Sequence, residues 1–179
     1  MSFARVRALA VVGALVLAAA IFVTVALIKD KQSGPGVASG CGKDAVVANI
    51  KLPEPQDVKV NVFSAANKST ATASDVASDF ANRKFVVANA KDKKWPDPLK
   101  KNVDGVAVLR YGPKAVGANW LVRAYFLNEA SNEFDIKRTD DIVDVVIGAK
   151  FKQLATITEV NQALAQLGNP ALPAGTCSA

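Results

Sequence analysis

A long uncharged apolar run stands near the start of the chain, ahead of shorter segments in which apolar and polar residues alternate. Ala8 to Ile28 contains 21 residues without a charge, and at about 1.5 Å of rise per residue a helix of this length crosses a hydrocarbon core of roughly 30 Å. The run exceeds the roughly 7 to 15 apolar residues of a cleaved signal peptide. Arg5 and Arg7 favour a cytoplasmic amino terminus. We therefore predict an uncleaved transmembrane helix over 8–28, behind a cytoplasmic tail of residues 1–7.

Beyond this run, two strands with a helix between them are predicted. The segment VKVNVF (58–63) places valine at every second position, as a half-buried strand does, and KFVVANA (84–90) predicts a second strand. Thr72 and Asp75 have the spacing of a capping box at the start of a helix that ends near Arg83. The apolar face of that helix comprises Ala73, Val76, Ala77, Phe80 and Ala81.

The same order of elements returns further along the chain. GVAVLRY (105–111) predicts a third strand, and Pro113 stands where a first helical residue belongs. Gly117 costs the following helix about 1 kcal/mol relative to alanine, which indicates close approach to a sheet. EFDIK (133–137) predicts a further strand. The apolar stripe of this helix comprises Val116, Gly117, Trp120, Leu121, Ala124 and Leu127.

The last elements complete a sheet covered by helices. IVDVVIG (142–148) is apolar enough to be a central strand, and it follows a predicted turn at Arg138–Asp141. Thr156 and Glu159 have the spacing to cap a final helix. We predict an α/β fold, with α+β as the alternative: a small mixed sheet built from two strand–helix–strand units, with helices packed on it. The final helix is defined by Val160, Leu164 and Leu167 and closed by Gly168 and Pro170.

The positions of the two cysteines indicate that the domain lies in an oxidising environment. Cys41 and Cys177 lie outside the apolar run, 136 positions apart, without a C-x-x-C or metal-type spacing. A disulfide between them would tie the segment that leaves the membrane to the end of the chain, and two unrelated buried thiols are the alternative. Residues 29–56 are predicted to form a stalk and an extended segment. Within it, ASGC (38–41) is similar to a lipoprotein processing site, which leaves lipidation as a further alternative.

Charge and the absence of histidine exclude several functions. The 20 basic and 16 acidic residues that follow the apolar run leave a net charge of +4, which is far from that of a dedicated nucleic-acid-binding domain. Without histidine, the chain has no Ser-His-Asp or Cys-His catalysis and no His-ligated zinc. Asp140 and Asp141 are adjacent and point to opposite faces of an extended chain, so they are turn residues and not a glycosidase pair. No metal and no cofactor is expected.

Several short segments together resemble a known family, the LytR C-terminal domain, which is found in envelope proteins of actinobacteria. The resemblance covers roughly residues 57–151. In that family the domain often stands behind a single membrane anchor, alone or after a LytR-CpsA-Psr catalytic domain that attaches polymers to peptidoglycan; we expect no room for that catalytic domain here. Lys84 stands where the family commonly has a glycine before Phe85. The matching segments are VNVFSAANKS (60–69), the helix after it, KFVVANA (84–90), VLRYGPKA (108–115) and VVIGAKF (145–151).

The turn after the third strand is the first candidate ligand-binding site. Arg110, Tyr111 and Gly112 match the family's pattern at a strand end, where ligands commonly bind in open α/β sheets, beside a helix N-terminus suited to anions. Alternatively, Arg110 pairs with a nearby carboxylate such as Asp104 or Asp135, and the segment is a connecting turn.

A second candidate lies in the lysine-rich stretch KDKKWPDPLKKN (91–102). Lys93 and Lys94 precede Trp95 in a loop longer than the usual median of about 4 to 6 residues. A wall glycan or a phosphate-bearing polymer could stack on Trp95 and meet the lysines. The alternative is a solvated insertion with Trp95 packed onto the domain.

Residues and resemblance together predict a single-pass protein of the cell membrane whose C-terminal domain is extracytoplasmic. Residues 152–179 are predicted to add a helix and a tail to the domain of residues 57–151. We expect no chemistry: the protein binds or scaffolds wall polymer or wall-assembly enzymes, and the resemblance implies a role in envelope integrity beside LytR-CpsA-Psr enzymes. The alternatives are a small envelope enzyme that acts on a phosphorylated wall precursor through Arg110, and a sensor that has only residues 1–7 inside. Nucleic acid is not an expected partner.

Overall fold

The structure is a computed structural model that describes Gly13 and residues 45–65, 73–89 and 102–178. Apart from Gly13, these residues belong to one unit of the chain, Gly40–Ala179. In these ranges no helix is long and apolar enough to cross a membrane. The predicted cytoplasmic tail, the predicted span over 8–28 and residues 29–44 of the predicted stalk lie outside the described residues, Gly13 excepted.

Seven strands and three α-helices make up the described part of the chain, and most of them confirm the predicted elements. The strands are β1 (Val46–Ala48), β2 (Lys59–Ser64), β3 (Val86–Asn89), β4 (Ala107–Tyr111), β5 (Ser131–Phe134), β6 (Ile142–Ile147) and β7 (Thr176–Ser178). The helices are α1 (Ala73–Asn82), α2 (Val116–Ala124) and α3 (Ile157–Leu167), with 3₁₀ turns at Pro55–Asp57 and Pro113–Ala115. The short strands β1 and β7 are not among the predicted elements.

Five of the strands form one mixed sheet in the order β3-β2-β6-β4-β5. β2 runs parallel to both β3 and β6, β4 runs parallel to β5, and β4 and β6 are antiparallel. The two predicted strand–helix–strand units are therefore confirmed as β2-α1-β3 and β4-α2-β5. The apolar strand β6 joins them at the centre of the sheet, as its composition predicts.

The three helices contribute to one core on a single face of the sheet. Apolar side chains at alternate strand positions, among them Val60, Leu109 and Val145, are completely buried in this core. Phe80 of α1 packs against the edge of Phe85, with ring centroids 5.0 Å apart, a geometry that adds to simple burial. This two-layer packing confirms the α/β fold with helices on a small mixed sheet.

Local signals in the sequence set two helix ends. Thr156 and Glu159 form the predicted capping box: the Thr156 N–H donates to Glu159 Oε2 at 2.8 Å, and the Glu159 N–H donates to Thr156 Oγ1 at 3.4 Å. The hydrogen bond from the Thr156 backbone, with that from its hydroxyl, lowers the pKa of Glu159. After α1, Lys84 has a φ of 71°, so it occupies the left-handed conformation for which the family's usual glycine is suited. The predicted cap Thr72 lies outside the described residues.

Two predicted elements extend too far. The apolar stripe predicts a helix as far as Leu127, but α2 ends at Ala124. Leu127 and Asn128 have φ values of 54° and 62°, which are not helical. Leu127 is accordingly 48% exposed. The strand predicted over 133–137 ends at Phe134, where the Asp135 N–H donates to the Tyr111 carbonyl and starts a turn.

Gly117 does make a close approach, but to an extended segment and not to the sheet. The Gly117 N–H donates to the Asn49 carbonyl at 2.8 Å, and the Asn49 N–H donates to the Pro113 carbonyl at 2.9 Å. A Cβ at position 117 would overlap the Lys51 carbonyl oxygen and lie 2.7 Å from the Lys51 carbonyl carbon. The predicted extended segment before β2 is thus fixed against the start of α2 by two backbone hydrogen bonds.

The two ends of the described unit meet in a second, two-stranded sheet. β1 and β7 pair in parallel, with Val47 opposite Cys177. Cys177 lies in β7 and is 9% exposed. Its predicted partner Cys41 lies outside the described residues, so the pairing stays a prediction. The β1–β7 register nevertheless brings position 177 to the strand that begins five residues after Cys41.

Candidate functional site

The face of the sheet opposite to the helices carries polar side chains in register across four strands. Asn61 pairs with Asp144, Asp144 with Arg110, and Arg110 with Glu133. Directly paired residues have their Cβ atoms about 4.5–5.5 Å apart and point to the same face. We call these four residues the polar row. Beside it lies a buried apolar row of Phe63, Val146 and Val108.

Asp144 is the centre of the polar row. Its Oδ1 accepts a hydrogen bond from Asn61 Nδ2 at 2.8 Å, and its Oδ2 accepts one from Arg138 Nη1 at 2.6 Å. The Arg138 side chain is only 11% exposed, and its Nε also donates to both Asp140 oxygens, at 2.9 and 3.0 Å. Burial opposes the charge of this guanidinium, but Asp144 and Asp140 outweigh burial and raise the pKa of Arg138. Arg138 therefore keeps its positive charge and forms ion pairs with both carboxylates.

Arg110 lies one residue before the end of β4, and its side chain pairs with Asp135. The Arg110 Nη2 donates to Asp135 Oδ2 at 3.0 Å, and the two side chains are 25% and 34% exposed. This confirms a carboxylate partner that the sequence offers as the alternative to ligand binding. Among the described residues Asp135 is the one acceptor of this guanidinium, which leaves N–H donors for a ligand. The binding role of Arg110 stays a prediction.

The other two residues of this candidate site, Tyr111 and Gly112, follow Arg110 in the chain. Tyr111 is 4% exposed and its ring centroid is 5.5 Å from that of Phe134; burial raises the pKa of its hydroxyl, against the charge of Arg123. A Cβ at Gly112 would lie 2.7 Å from the Arg138 carbonyl oxygen and 2.8 Å from Arg138 Cβ. The structure thus places Tyr111 in the core and gives Gly112 a reason to lack a side chain, because Arg138 packs against it. A ligand contact by either residue stays a prediction.

The adjacent aspartates of the predicted turn both bind cations. Asp140 accepts from Arg138, and Asp141 pairs with Lys59 Nζ at 2.9 Å in an exposed contact. The hydrogen bond from Lys59 lowers the pKa of Asp141, while burial opposes the effect. The turn between β5 and β6 lies at Ile136 and Lys137, two residues before the predicted position, with a bend at Asp140. Asp140 and Asp141 precede β6 and use different cationic partners.

The second candidate site is the lysine-rich stretch around Trp95. Trp95, Lys93 and Lys94 lie outside the described residues, so their contact with a wall polymer stays a prediction.

The chemistry of the site favours ion pairing and binding. Across the described ranges, no group of three or more histidine, cysteine, aspartate or glutamate side chains is arranged to hold a metal ion. The four aspartates around the polar row each accept a hydrogen bond from an arginine, lysine or asparagine. Each of these carboxylates is thus already engaged with a donor of the protein itself. These aspartates are 135, 140, 141 and 144.

Sequence reasoning missed four residues of this site: Asn61, Glu133, Arg138 and Asp144. Two of them, Asp144 and Asn61, carry a signal that is clear in retrospect. Asp144 is a lone carboxylate inside the apolar strand IVDVVI, and Asn61 holds the corresponding position in VKVNVF. A charged residue inside a central strand requires a partner. The register that supplies Asn61 and Arg138 is a tertiary property that periodicity does not contain.

Replacing Asp144 by alanine is expected to destabilise the domain by about 2 kcal/mol. Breaking a buried ion pair typically costs about 3–5 kcal/mol, and the value here is lower because Arg138 keeps Asp140. At roughly 4 °C per kcal/mol for a domain of this size, the midpoint of thermal unfolding falls by about 8 °C. The control is Asp141→Ala, which breaks a pair whose side chains are 47% and 52% exposed and should cost well under 1 kcal/mol. Equal losses in the two variants would contradict a central role for Asp144.

Comparison with known proteins shows which family the chain belongs to. The model of the LytR C-terminal domain family, described as LytR cell envelope-related transcriptional attenuator, matches residues 57–151, slightly more than half of the chain. The chain belongs to this family, which confirms the resemblance and its extent, and the family's description names no catalytic activity.

A solved structure is also similar to this chain. It is the crystal structure of the soluble domain of a conserved hypothetical secreted protein from Mycobacterium marinum, 25% identical, covering 75% of this chain and 82% of that chain with a TM-score of 0.42. No curated protein matches the chain.

Proposed function

We propose that the protein is an extracytoplasmic envelope protein, held by a single membrane span, that binds or scaffolds a component of the cell wall and performs no chemistry on it. Membership of a cell-envelope-related family supports the location, and the 21-residue uncharged run supports the anchor. The proposed partners are a wall polymer or wall-assembly enzymes, including those of the LytR-CpsA-Psr type.

The observation that supports this proposal most strongly is that Arg110 is partly exposed on the polar row and paired with Asp135. Its guanidinium is partly exposed and Asp135 holds it in one orientation, so little side-chain entropy is lost when an acceptor binds the remaining N–H groups. Guanidinium groups bind phosphate and carboxylate through two parallel hydrogen bonds. An anionic group of a wall polymer, or an acidic side chain of a wall enzyme, is the chemistry that fits this position.

The neighbouring carboxylates support binding over catalysis. An enzyme that acts on a phosphorylated wall precursor through Arg110 needs a base or a nucleophile within hydrogen-bond reach of the substrate. Asp135 is bound to Arg110 itself, and Asp144 is bound to Arg138 and Asn61. Each of these two carboxylates therefore already has a hydrogen-bond partner within the protein.

Co-sedimentation with purified insoluble wall fragments tests the proposal. The full chain in detergent is expected to sediment with the fragments, and Arg110→Ala should weaken this binding roughly tenfold or more, since a hydrogen bond to a charged group contributes about 1.5–3 kcal/mol. The same preparation, used as bait in an envelope extract, tests for wall-assembly enzymes as the partner.

Arg83→Ala is the matched control. Arg83 also has a 25% exposed side chain in a single ion pair, with Asp79 at 3.2 Å, but it directly follows the last residue of α1 and is not part of the polar row. It should bind wall fragments as the unmodified chain does. If neither polymer nor enzyme is recovered above background, or if both variants bind like the unmodified chain, the role assigned to Arg110 is wrong.

A further inference from the structure

A shallow depression lies at the start of the domain, apart from Arg110. It has a volume of about 360 Å³ and its walls are Val47, Ala48, Asn49, Ile50, Lys51 and Lys114. This volume is in the range of small-ligand sites. The walls combine aliphatic side chains with two lysines, and neither the polar row nor its ion pairs use any of these residues.

The depression is built on a rigid support. Asn49 is bound to α2 and the turn before it through the Gly117 N–H and the Pro113 carbonyl. Ala48 is 2% exposed and continues strand β1, which pairs with β7. The backbone of the depression therefore does not need to be ordered when a ligand binds, and this lowers the entropic cost of binding.

The surface around the depression is unusually apolar. Val46, Val47 and Leu52 are 37%, 52% and 47% exposed. They are three of the seven large hydrophobic side chains that are exposed among the described residues, and they lie within seven positions of one another. Of the three, Val47 lines the depression itself, and Val46 and Leu52 are its neighbours along the chain.

Two positive charges stand at the depression. Lys51 and Lys114 are both exposed, and no ion pair joins either ammonium group to a described carboxylate. Aliphatic walls with two lysines match a ligand that carries an anionic group next to hydrocarbon. A free phosphate would leave the aliphatic side chains of Val47 and Ile50 unused, and an uncharged hydrocarbon would leave the lysines unused.

We propose that this depression binds an anionic lipid of the bilayer: the headgroup phosphate lies between Lys51 and Lys114, and the adjoining hydrocarbon contacts Val47 and Ile50. The proposal rests on the membrane anchor of the proposed function, because a tethered domain meets bilayer lipid at high local concentration. Lysines near an anionic membrane surface each add to such binding. The occupant is lipid and not wall polymer, since a polar polymer gains nothing from the aliphatic walls.

Photo-cross-linking in nanodiscs tests this site. The full chain is placed in phosphatidylcholine nanodiscs with a minor fraction of phosphatidylglycerol that carries a photoreactive group near its headgroup, and cross-linked peptides are identified by mass spectrometry. Cross-links are expected within residues 45–52. The double variant Lys51→Ser/Lys114→Ser should lower their yield roughly tenfold. The matched control Lys137→Ser/Lys152→Ser, which removes two exposed lysines elsewhere, should leave it unchanged.

Any of three results would overturn the lipid site: cross-links confined to residues outside 45–52 other than Lys114, equal yields from the two double variants, or the same yield when the photoreactive lipid is phosphatidylcholine. Complete competition by inorganic phosphate would also overturn it, in favour of a free-anion site. Melting temperatures of the variants show whether each is folded. Because wall binding is tested at Arg110 and lipid binding at Lys51 and Lys114, a failure of one assay is distinct from a failure of the other.

Discussion

Gly117→Ala is expected to destabilise the domain by about 3 kcal/mol, although alanine is the better helix former. In a helix free of contacts the substitution would stabilise by about 1 kcal/mol. Here the new methyl group would overlap the Lys51 carbonyl oxygen and lie 3.1 Å from the Ile50 carbonyl carbon. Backbone cannot rotate away as a side chain can, so the 49–51 segment must move, and overpacking of this kind costs about 1–3 kcal/mol. The shift also breaks the hydrogen bond from the Gly117 N–H to Asn49.

Thermal unfolding of the full chain measures the effect, with an expected fall of roughly 10 °C. Gly105→Ala is the control, because a Cβ there has no neighbour within 4 Å, and it should change the melting temperature by no more than about 2 °C. Hydrogen exchange should show faster exchange at Asn49 and Gly117 in the first variant alone. A melting temperature that rises in Gly117→Ala would show that the contact with Lys51 is not tight.

Local signals predicted the elements of this fold well. Alternation predicted β2, because burial on a sheet face has a period of two residues, and a nearly continuous apolar run predicted β6 as a central strand. The spacing of Thr156 and Glu159 predicted the start of α3, since both partners of a capping box lie within one turn. The over-extended helix stripe shows the limit of periodicity. Leu127 fits the stripe, but the positive φ values of Leu127 and Asn128 end the helix, and Asn128 donates to the Ala163 carbonyl of α3.

Long-range pairing was the part that the sequence could not predict. Val46 and Thr176 pair across 130 positions in strands of three residues, which are too short to carry a pattern of their own. The polar row also depends on long-range pairing of strands. Arg110 was recognised because it ends a strand, and Asp135 was one of two carboxylates offered as its partner. The bond between Arg138 and Asp144, by contrast, depends on which strands are neighbours in the sheet.

Loss of the predicted disulfide between Cys177 and Cys41 is expected to destabilise the domain by about 3 kcal/mol, a fall of roughly 10 °C in melting temperature. Closing a loop of 136 residues gives about 5 kcal/mol in the chain-entropy model, and measured values are typically about 2–4 kcal/mol. Position 177 lies in β7, whose only three residues pair with β1. Two strands of this length are marginal without a covalent link, so amide exchange should increase first in 46–48 and 176–178.

The pairing of Cys177 with Cys41 is tested by comparing Cys41→Ser, Cys177→Ser and the double variant. If the two cysteines share one bond, each single variant loses all of its stabilisation, so the double variant should melt within about 2 °C of either single variant. Reductant should lower the melting temperature of the unmodified chain and leave all three variants unchanged. Additive losses, or labelling of both thiols in the unmodified chain without reductant, would show two separate thiols. A shared bond would join β7 to a residue five positions before β1, and would explain why strands as short as β1 and β7 persist.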